Sequence, residues 1–351
     1  MVKLLPNLNI LRLLLALIVI IYHIPPLCKN LGLPYYNALP FFNKGDEAVK
    51  FFFTLSGFLI IKLLYVEKEE SGTIKLGRFY LKRILRIFPL YYLITFAGIL
   101  LYHFILPLLK IPFEIKYDLT DLLVYYTFFI PNVFNSIYDP GAILLTLWSI
   151  GIEEQFYLII PILLFFIKPQ KITFFLIILL IAYLGVFFNS ASMQFFDFLY
   201  FYFLFGGIMA INYYRFKFLN NNLVKLLIFM LFIIQFSTNL LDYYGKLISE
   251  LSTMIISGLF ITMIAHYPPY IIKNKLLNYC GQISYGIYMY HMIIITGVLF
   301  FYIKFLPIRS LNPIFVIVSI NVVVIIFTLI FAHFSGKYYE AWFIKKKNRL
   351  H

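Results

Sequence analysis

An arginine and a histidine stand eleven residues apart in the apolar stretch NILRLLLALIVIIYH, as Arg12 and His23. Ionisable side chains inside an apolar run are expensive unless paired or hydrated, so both are candidates for chemistry. At about 100° per residue, eleven steps return to nearly the same helix face, displaced by roughly 16 Å along the axis. That face would carry a fixed cation at one end and an imidazole at the other. An imidazole with an ordinary pKa of about 6.5 is suited to act as a general base. The plainer alternative is that Arg12 snorkels to the membrane interface and His23 caps the outer helix end.

Four further segments carry polar groups in apolar surroundings. In LWSIGIEEQFYLIIP, Ser149 and Glu153 are four apart and share a helix face, while Glu154 points about 100° away. Adjacent carboxylates deep in an apolar helix must hold a proton or sit beside a cation. A structural glutamate bridging two helices is the plainer reading. In FFFTLSGFLI, the Ser56-Gly57 pair favours close helix packing, and a nucleophilic role for Ser56 would require an adjacent base. NYCGQISYGIYMYH places His291 well inside an apolar stretch, with Tyr288 three residues before it on the same face. The tyrosines there also suit simple packing. In RFYLKRILRIFPLYY, Arg83 and Arg86 project together, and guanidinium forks match phosphate oxygens. The same charges also serve to orient a membrane protein. His103, His266 and His333 fall near predicted helix ends and read as interfacial.

These residues need helices to hold them, and the composition says of which kind. The chain is 62% hydrophobic, 21% aromatic and only 13% charged, whereas a soluble domain carries about 25% charged residues. So much apolar surface must face lipid. A span needs about 20 apolar residues, and the pattern predicts spans at 8–27, 45–65, 87–109, 143–167, 171–188, 197–213, 224–241, 248–266, 280–303 and 312–334. The expectation is therefore an all-α, polytopic integral membrane protein of about ten transmembrane helices. It forms a single transmembrane domain over residues 1–351 with no separate soluble domain. The longest connection, 110–142, mixes charges with the apolar run Leu122 to Ile130 and suits a re-entrant or interfacial segment.

Charge placement supplies an orientation. The net charge of +14 suggests a nucleic-acid partner only until the charges are located. With a cytoplasmic N-terminus, the inner loops and tail collect most of the Lys and Arg. These include the cluster Lys75, Arg78, Lys82, Arg83 and Arg86 and the tail Lys345, Lys346, Lys347 and Arg349. The opposite side holds few, among them Lys29, Lys44, Lys110, Lys116, Lys246, Lys304 and Arg309. That asymmetry predicts both termini in the cytoplasm and no nucleic-acid partner. The first apolar stretch ends in Pro25-Pro26 without a small-residue cleavage site, so it reads as an uncleaved span. Cys28 and Cys280 fall at opposite membrane edges, too far apart to bond. The pattern shows no internal repeat and specifies no oligomeric state.

Together, these segments resemble the membrane-bound acyltransferase-3 family, which includes O-acetyltransferases of bacterial surface polysaccharides. The resemblance runs through Arg12 and His23, FFFTLSGFLI, the R-x-x-R of Arg83 and Arg86, and a W-S-x-x-x-E-E-x-F-Y signature. That signature is carried by Trp148, Ser149, Glu153, Glu154, Phe156 and Tyr157; ISYGIYMYH and HFSGKYYEAWF complete the series. The chain departs from the family pattern in four places. Leu8-Asn9-Ile10-Leu11-Arg12 stands for L-D-G-L-R, and Tyr290 stands for the tryptophan often found before the histidine. Glu340 is followed by Ala341 and Trp342 rather than a nearby proline, and KGDEAVKFFF is unusually charged. A hydrolase-like extracytoplasmic domain, which some members carry, is not expected here.

The resemblance implies acyl transfer from a cytoplasmic acyl-CoA, most often acetyl-CoA, to a hydroxyl of an extracytoplasmic glycan or lipid-linked sugar. No metal is implied, and the setting is a bacterial cell membrane. In that reading Arg83, Arg86 and Arg12 receive the donor's phosphates, and the pantetheine arm carries the thioester towards His23 and Glu153. His23 is the expected general base, with Glu153 orienting its imidazole. Ser56, Trp148, Ser149, Glu154, Tyr288 and His291 are the expected supporting residues. The rival reading is a transporter or flippase for a glycolipid or organic acid, with the same polar groups lining its path.

Overall fold

The computed structural model of the protein describes residue 5 and residues 7–348, except the side chains of Arg309, Lys346, Lys347 and Asn348. Arg349 of the basic tail lies outside the described residues. The principal helices are α1 (Leu8–Asn30), α2 (Gly45–Ser71), α3 (Leu76–Leu108), α4 (Leu119–Thr127), α5 (Pro131–Ile137), α6 (Ala142–Phe166) and α7 (Pro169–Asn189). They continue as α8 (Ala191–Phe195), α9 (Tyr200–Ile211), α10 (Asn222–Ser237), α11 (Lys246–His266), α12 (Lys275–Gln282), α13 (Ser284–Phe305) and α14 (Pro313–Lys345). Among the described residues there is no strand.

The all-α, many-span class is borne out. Among the described residues, eight helices are long and apolar enough to cross a membrane, or nine if one bent pair counts as a single span, against about ten expected. The sixth expected span is only the 12-residue α9. The seventh is bent by 98° where the short helix Tyr213–Asn220 meets α10. The bend follows from polar chemistry: Asn221 takes an extended conformation and its side chain accepts from the amides of Leu223 and Val224, which starts a new helix. Two other boundaries move. α3 begins at Leu76 instead of 87, so Arg78, Lys82, Arg83 and Arg86 ride on the helix itself. α1 continues through Pro25 and Pro26 to Asn30, although those prolines lack the amides that would meet the carbonyls of Ile21 and Tyr22. Cys28 and Cys280 are both free.

Contacts divide the chain into two compact units. One runs to Leu63 and resumes over Phe201–His333; the other comprises Leu64–Tyr200 and the segment from Phe334 onward. In the first unit, glycines bring helix backbones into contact. A Cβ at Gly57 would lie 2.0 Å from the Phe203 carbonyl oxygen, and one at Gly206 would lie 2.1 Å from that of Thr54. α2 and α9 therefore touch backbone to backbone, which supports close packing as the role of Gly57. Gly57→Val is expected to force the helices apart and cost about 1–3 kcal/mol. Thermal unfolding in detergent checks this, with Gly185→Ala, whose added methyl meets open space, as the unaffected control. An unchanged melting temperature for Gly57→Val would contradict the packing.

A polar seam joins α2 to α11 and its approach. Lys44 bridges Asp242 at 2.7 Å and Glu47 at 3.1 Å, and Lys50 bridges Glu250 at 2.8 Å. The other oxygen of Glu250 accepts from Tyr202 at 2.6 Å. Further along, the Thr54 and Ser257 hydroxyls share a hydrogen bond of 2.8 Å. Lys62 donates to His266 at 3.0 Å while His266 stacks on Tyr213. Burial alone would raise the Asp242 carboxyl. The hydrogen bonds from Lys44 and Ser249 and the Lys44 charge outweigh it and hold the group below the usual carboxylate range. Two of the four charges of KGDEAVK, Lys44 and Lys50, are thus answered by partners remote in sequence.

In the second unit, the 110–142 connection forms two short helices, α4 and α5, that reverse at Phe129 with φ 57°. Gln155 of α6 holds the reversal, donating to the Phe129 carbonyl at 2.7 Å and to Asn132 Oδ1 at 2.8 Å, while Tyr200 donates to the side-chain oxygen Oε1 of Gln155. Gly151 lets Pro131 lie directly against α6. Lys68 closes the far end of α6, donating to the carbonyls of Leu164 and Phe165 at 2.6 and 2.7 Å.

Candidate functional site

The residues singled out by sequence fall into two groups, one in each unit. The first unit holds Arg12, His23, Ser56, Tyr288 and His291. Arg12 and His23 lie on the single helix α1 and are both half-buried, as is Ser56 on α2. The His23 ring sits 4.9 Å from the Tyr22 ring and 5.2 Å from that of His291, centroid to centroid. Tyr288 is buried, and its ring lies 5.4 Å from His291 and 6.3 Å from Phe52. His291 is wholly buried; its Nδ1 is hydrogen-bonded to the Tyr288 carbonyl and its Nε2 has no hydrogen-bond partner among the described residues.

α1 is held in place for this arrangement by α12. A Cβ at Gly281 would lie 1.9 Å from the Asn9 carbonyl oxygen, so only glycine admits this approach. Just before α1, Asn7 donates to the Tyr270 carbonyl at 2.7 Å and accepts from the Ile272 amide at 3.0 Å. Further along α1, next to His23, Gly45 packs against the Tyr22 ring. The helix carrying His23 is thus held at its start and again beside the histidine.

The second unit holds Arg83, Arg86, Trp148, Ser149, Glu153 and Glu154. The Arg83 guanidinium lies over two rings, 5.6 Å from the Phe79 centroid and 5.4 Å from that of Tyr157. It also stands in the fields of Glu153, Glu154 and Arg86. Tyr157 donates to Glu153 at 2.5 Å, so Glu153, expected beside the imidazole, is engaged within its own unit by Tyr157. Glu154 is only 8% exposed, and its Oε1 has no hydrogen-bond partner among the described residues. Arg86 interacts electrostatically with Glu340, which accepts from Ser335 at 3.0 Å. Trp148 and Ser149 open the long section of α6, and Ser149 donates to the Thr146 carbonyl at 3.4 Å.

The second group thus gathers a guanidinium, two aromatic rings and two carboxylates around Arg83. Sequence reasoning did not assign site roles to Tyr157, Phe79 or Glu340. Tyr157 was legible as the i+4 neighbour of Glu153, but the approach of Glu340 to Arg86 spans most of the chain and leaves no local signal.

Helix bundle, membrane-span composition and the ordered polar motifs define a polytopic membrane protein, and residues 5–333 match the acyltransferase-3 family, described as an acyltransferase domain. The chain belongs to that family. It is similar to a protein named "Putative O-acetyltransferase" in Staphylococcus aureus (strain COL), with 28% identity covering 97% of this chain and 57% of that one. A protein named "Putative acetyltransferase" of Acidianus two-tailed virus is 28% identical over 73% of this chain and 74% of its own length. The peptidoglycan O-acetyltransferase OatA of Listeria monocytogenes is 30% identical over 48% of this chain and 26% of its own. The chain thus spans 57% of the length of the staphylococcal relatives. No solved structure matches it.

Proposed function

We propose that the protein is a membrane O-acyltransferase that moves an acyl group, acetyl above all, from cytoplasmic acyl-CoA to a hydroxyl of an extracytoplasmic glycan or lipid-linked sugar. Membership of the acyltransferase-3 family supports the reaction class. The observation that carries the catalytic reading is His23: an imidazole on a helix held at its start and again beside Tyr22, backed by a second, buried imidazole. In the proposed step a nitrogen of His23 takes the acceptor hydroxyl's proton as the oxygen attacks the thioester carbonyl carbon. The tetrahedral intermediate collapses with cleavage of the C–S bond. The proton passes from the imidazolium to the departing CoA sulfur, leaving the ester, free CoA and neutral His23. Arg83 and Arg86 are assigned to the donor's phosphates, with Glu153, Glu154 and Tyr157 setting the orientation of Arg83; Arg12 is a further candidate for charge on donor or oxyanion. Charge asymmetry supports cytoplasmic termini, and the relatives' hosts support a bacterial cell membrane.

The test uses membranes containing the chain, radiolabelled acetyl-CoA and surface glycan from the host. Label is expected in an alkali-labile ester on glycan. Arg83→Ala is expected to raise the acetyl-CoA KM by about tenfold or more, as loss of a charge-assisted contact of about 1.5–3 kcal/mol implies. If acetyl-CoA neither binds nor donates, the transporter reading replaces this one.

A further inference from the structure

We propose that His291 is the positioning residue of the base: its Nε2 lone pair receives the N–H of His23, fixing the His23 tautomer and steadying the imidazolium. The proposal rests on the reading of His23 as the base. It begins with the hydrogen bond between His291 Nδ1 and the Tyr288 carbonyl. The Tyr288 carbonyl can only accept, so the proton between it and His291 belongs to Nδ1. A neutral His291 then has a bare Nε2, able only to accept.

That acceptor is buried completely and meets no donor among the described residues. A buried acceptor without a partner costs about 1–3 kcal/mol, so one is expected to serve a purpose. The titratable ring beside it is that of His23, with centroids 5.2 Å apart and planes inclined by 37°. The other aromatic rings against the two are those of Tyr22 and Tyr288, and no carboxylate hydrogen-bonds to either histidine among the described residues. In the proposal, rotation of the His23 ring about its side-chain bonds brings an N–H onto Nε2. Catalytic hydrogen bonds often tighten in this way only when substrate is bound.

The chemistry follows from proton counting. A neutral imidazole has one N–H and one lone pair. If the N–H of His23 is directed at His291, its other nitrogen necessarily presents the lone pair that takes the hydroxyl proton. Once protonated, His23 donates through both nitrogens, and the bond to His291 opposes the desolvation of the new charge. His291 thus acts as the orienting acid does in hydrolase triads, by accepting rather than by ionising. It touches neither donor nor acceptor.

Two variants and a spectrum test this. His291→Phe keeps an aromatic ring but removes the acceptor; His291→Gln offers a carboxamide oxygen near the position of Nε2. His291→Phe is expected to lower kcat by about 100-fold with KM for acetyl-CoA unchanged, and His291→Gln to restore at least a tenth of wild-type kcat. Ring 15N shifts of histidine-labelled protein in lipid nanodiscs should show His291 protonated at Nδ1 and the His23 signals displaced in His291→Phe. A His291 protonated at Nε2, unmoved His23 signals, or Phe and Gln variants of equal activity would overturn the proposal. His23→Ala in the same assay judges the base separately: full activity there sinks that reading, whatever the spectrum shows.

Discussion

Replacing His23 with alanine is expected to reduce acetyl transfer by about 10²–10⁴-fold in kcat, the usual contribution of a positioned general base. KM for acetyl-CoA should stay within about twofold, because the lost interaction is made only as the proton moves. The structural grounds are specific. His23 lies on α1, which is held at its start by the contact of Gly281 with Asn9 and again beside the histidine by Gly45 against Tyr22. The residue as a whole is half-buried, and its ring lies 5.2 Å from that of His291. A steady-state assay of ester formation, run beside a melting curve, gives the answer. Wild-type turnover by a well-folded His23→Ala would remove the base from the mechanism. A fall in activity tracking a fall in melting temperature would reduce His23 to a packing residue.

The second large effect concerns stability. Glu250→Leu is expected to destabilise the first unit by about 3–5 kcal/mol, because it strands the Lys50 ammonium in a buried site and removes the acceptor of Tyr202. Lys50→Met should do comparable harm by stranding the carboxylate. The double variant Lys50→Met/Glu250→Leu is expected to recover most of the loss, since well-packed apolar groups commonly replace a buried ion pair at little cost. Thermal unfolding of the four proteins in detergent forms a double-mutant cycle, and a coupling of at least about 1.5 kcal/mol is expected for groups in contact. Additive losses would mean that the bridge between α2 and α11 contributes nothing as a pair.

Much of this protein was legible in one dimension. The apolar runs marked most of the spanning helices, because lipid leaves a membrane helix few ways to satisfy its backbone and its surface. Arg12 with His23, Arg83 with Arg86, and Glu153 with Glu154 stood out because polar groups in apolar helices need a reason. Boundaries were less legible. The run through Pro25-Pro26 and the early start of α3 at Leu76 depend on packing that a hydropathy pattern does not contain. α9 and the bent start of α10 look like spans in composition, yet Asn221 chooses to begin a new helix there.

The sequence by itself determined the all-helical membrane class and the family motifs, with the polar pairs they carry, Arg83 with Arg86 and Glu153 with Glu154. Only the tertiary structure decided that His291 lies against His23, that Glu250 answers Lys50, and that Glu340 faces Arg86. The physical reason is distance along the chain. Helical periodicity carries information over a few turns, through side chains that recur on one face. Partners separated by some 200 residues or more meet only because glycines such as Gly57, Gly206 and Gly281 let particular backbones touch, and that complementarity exists between helices rather than within any one of them.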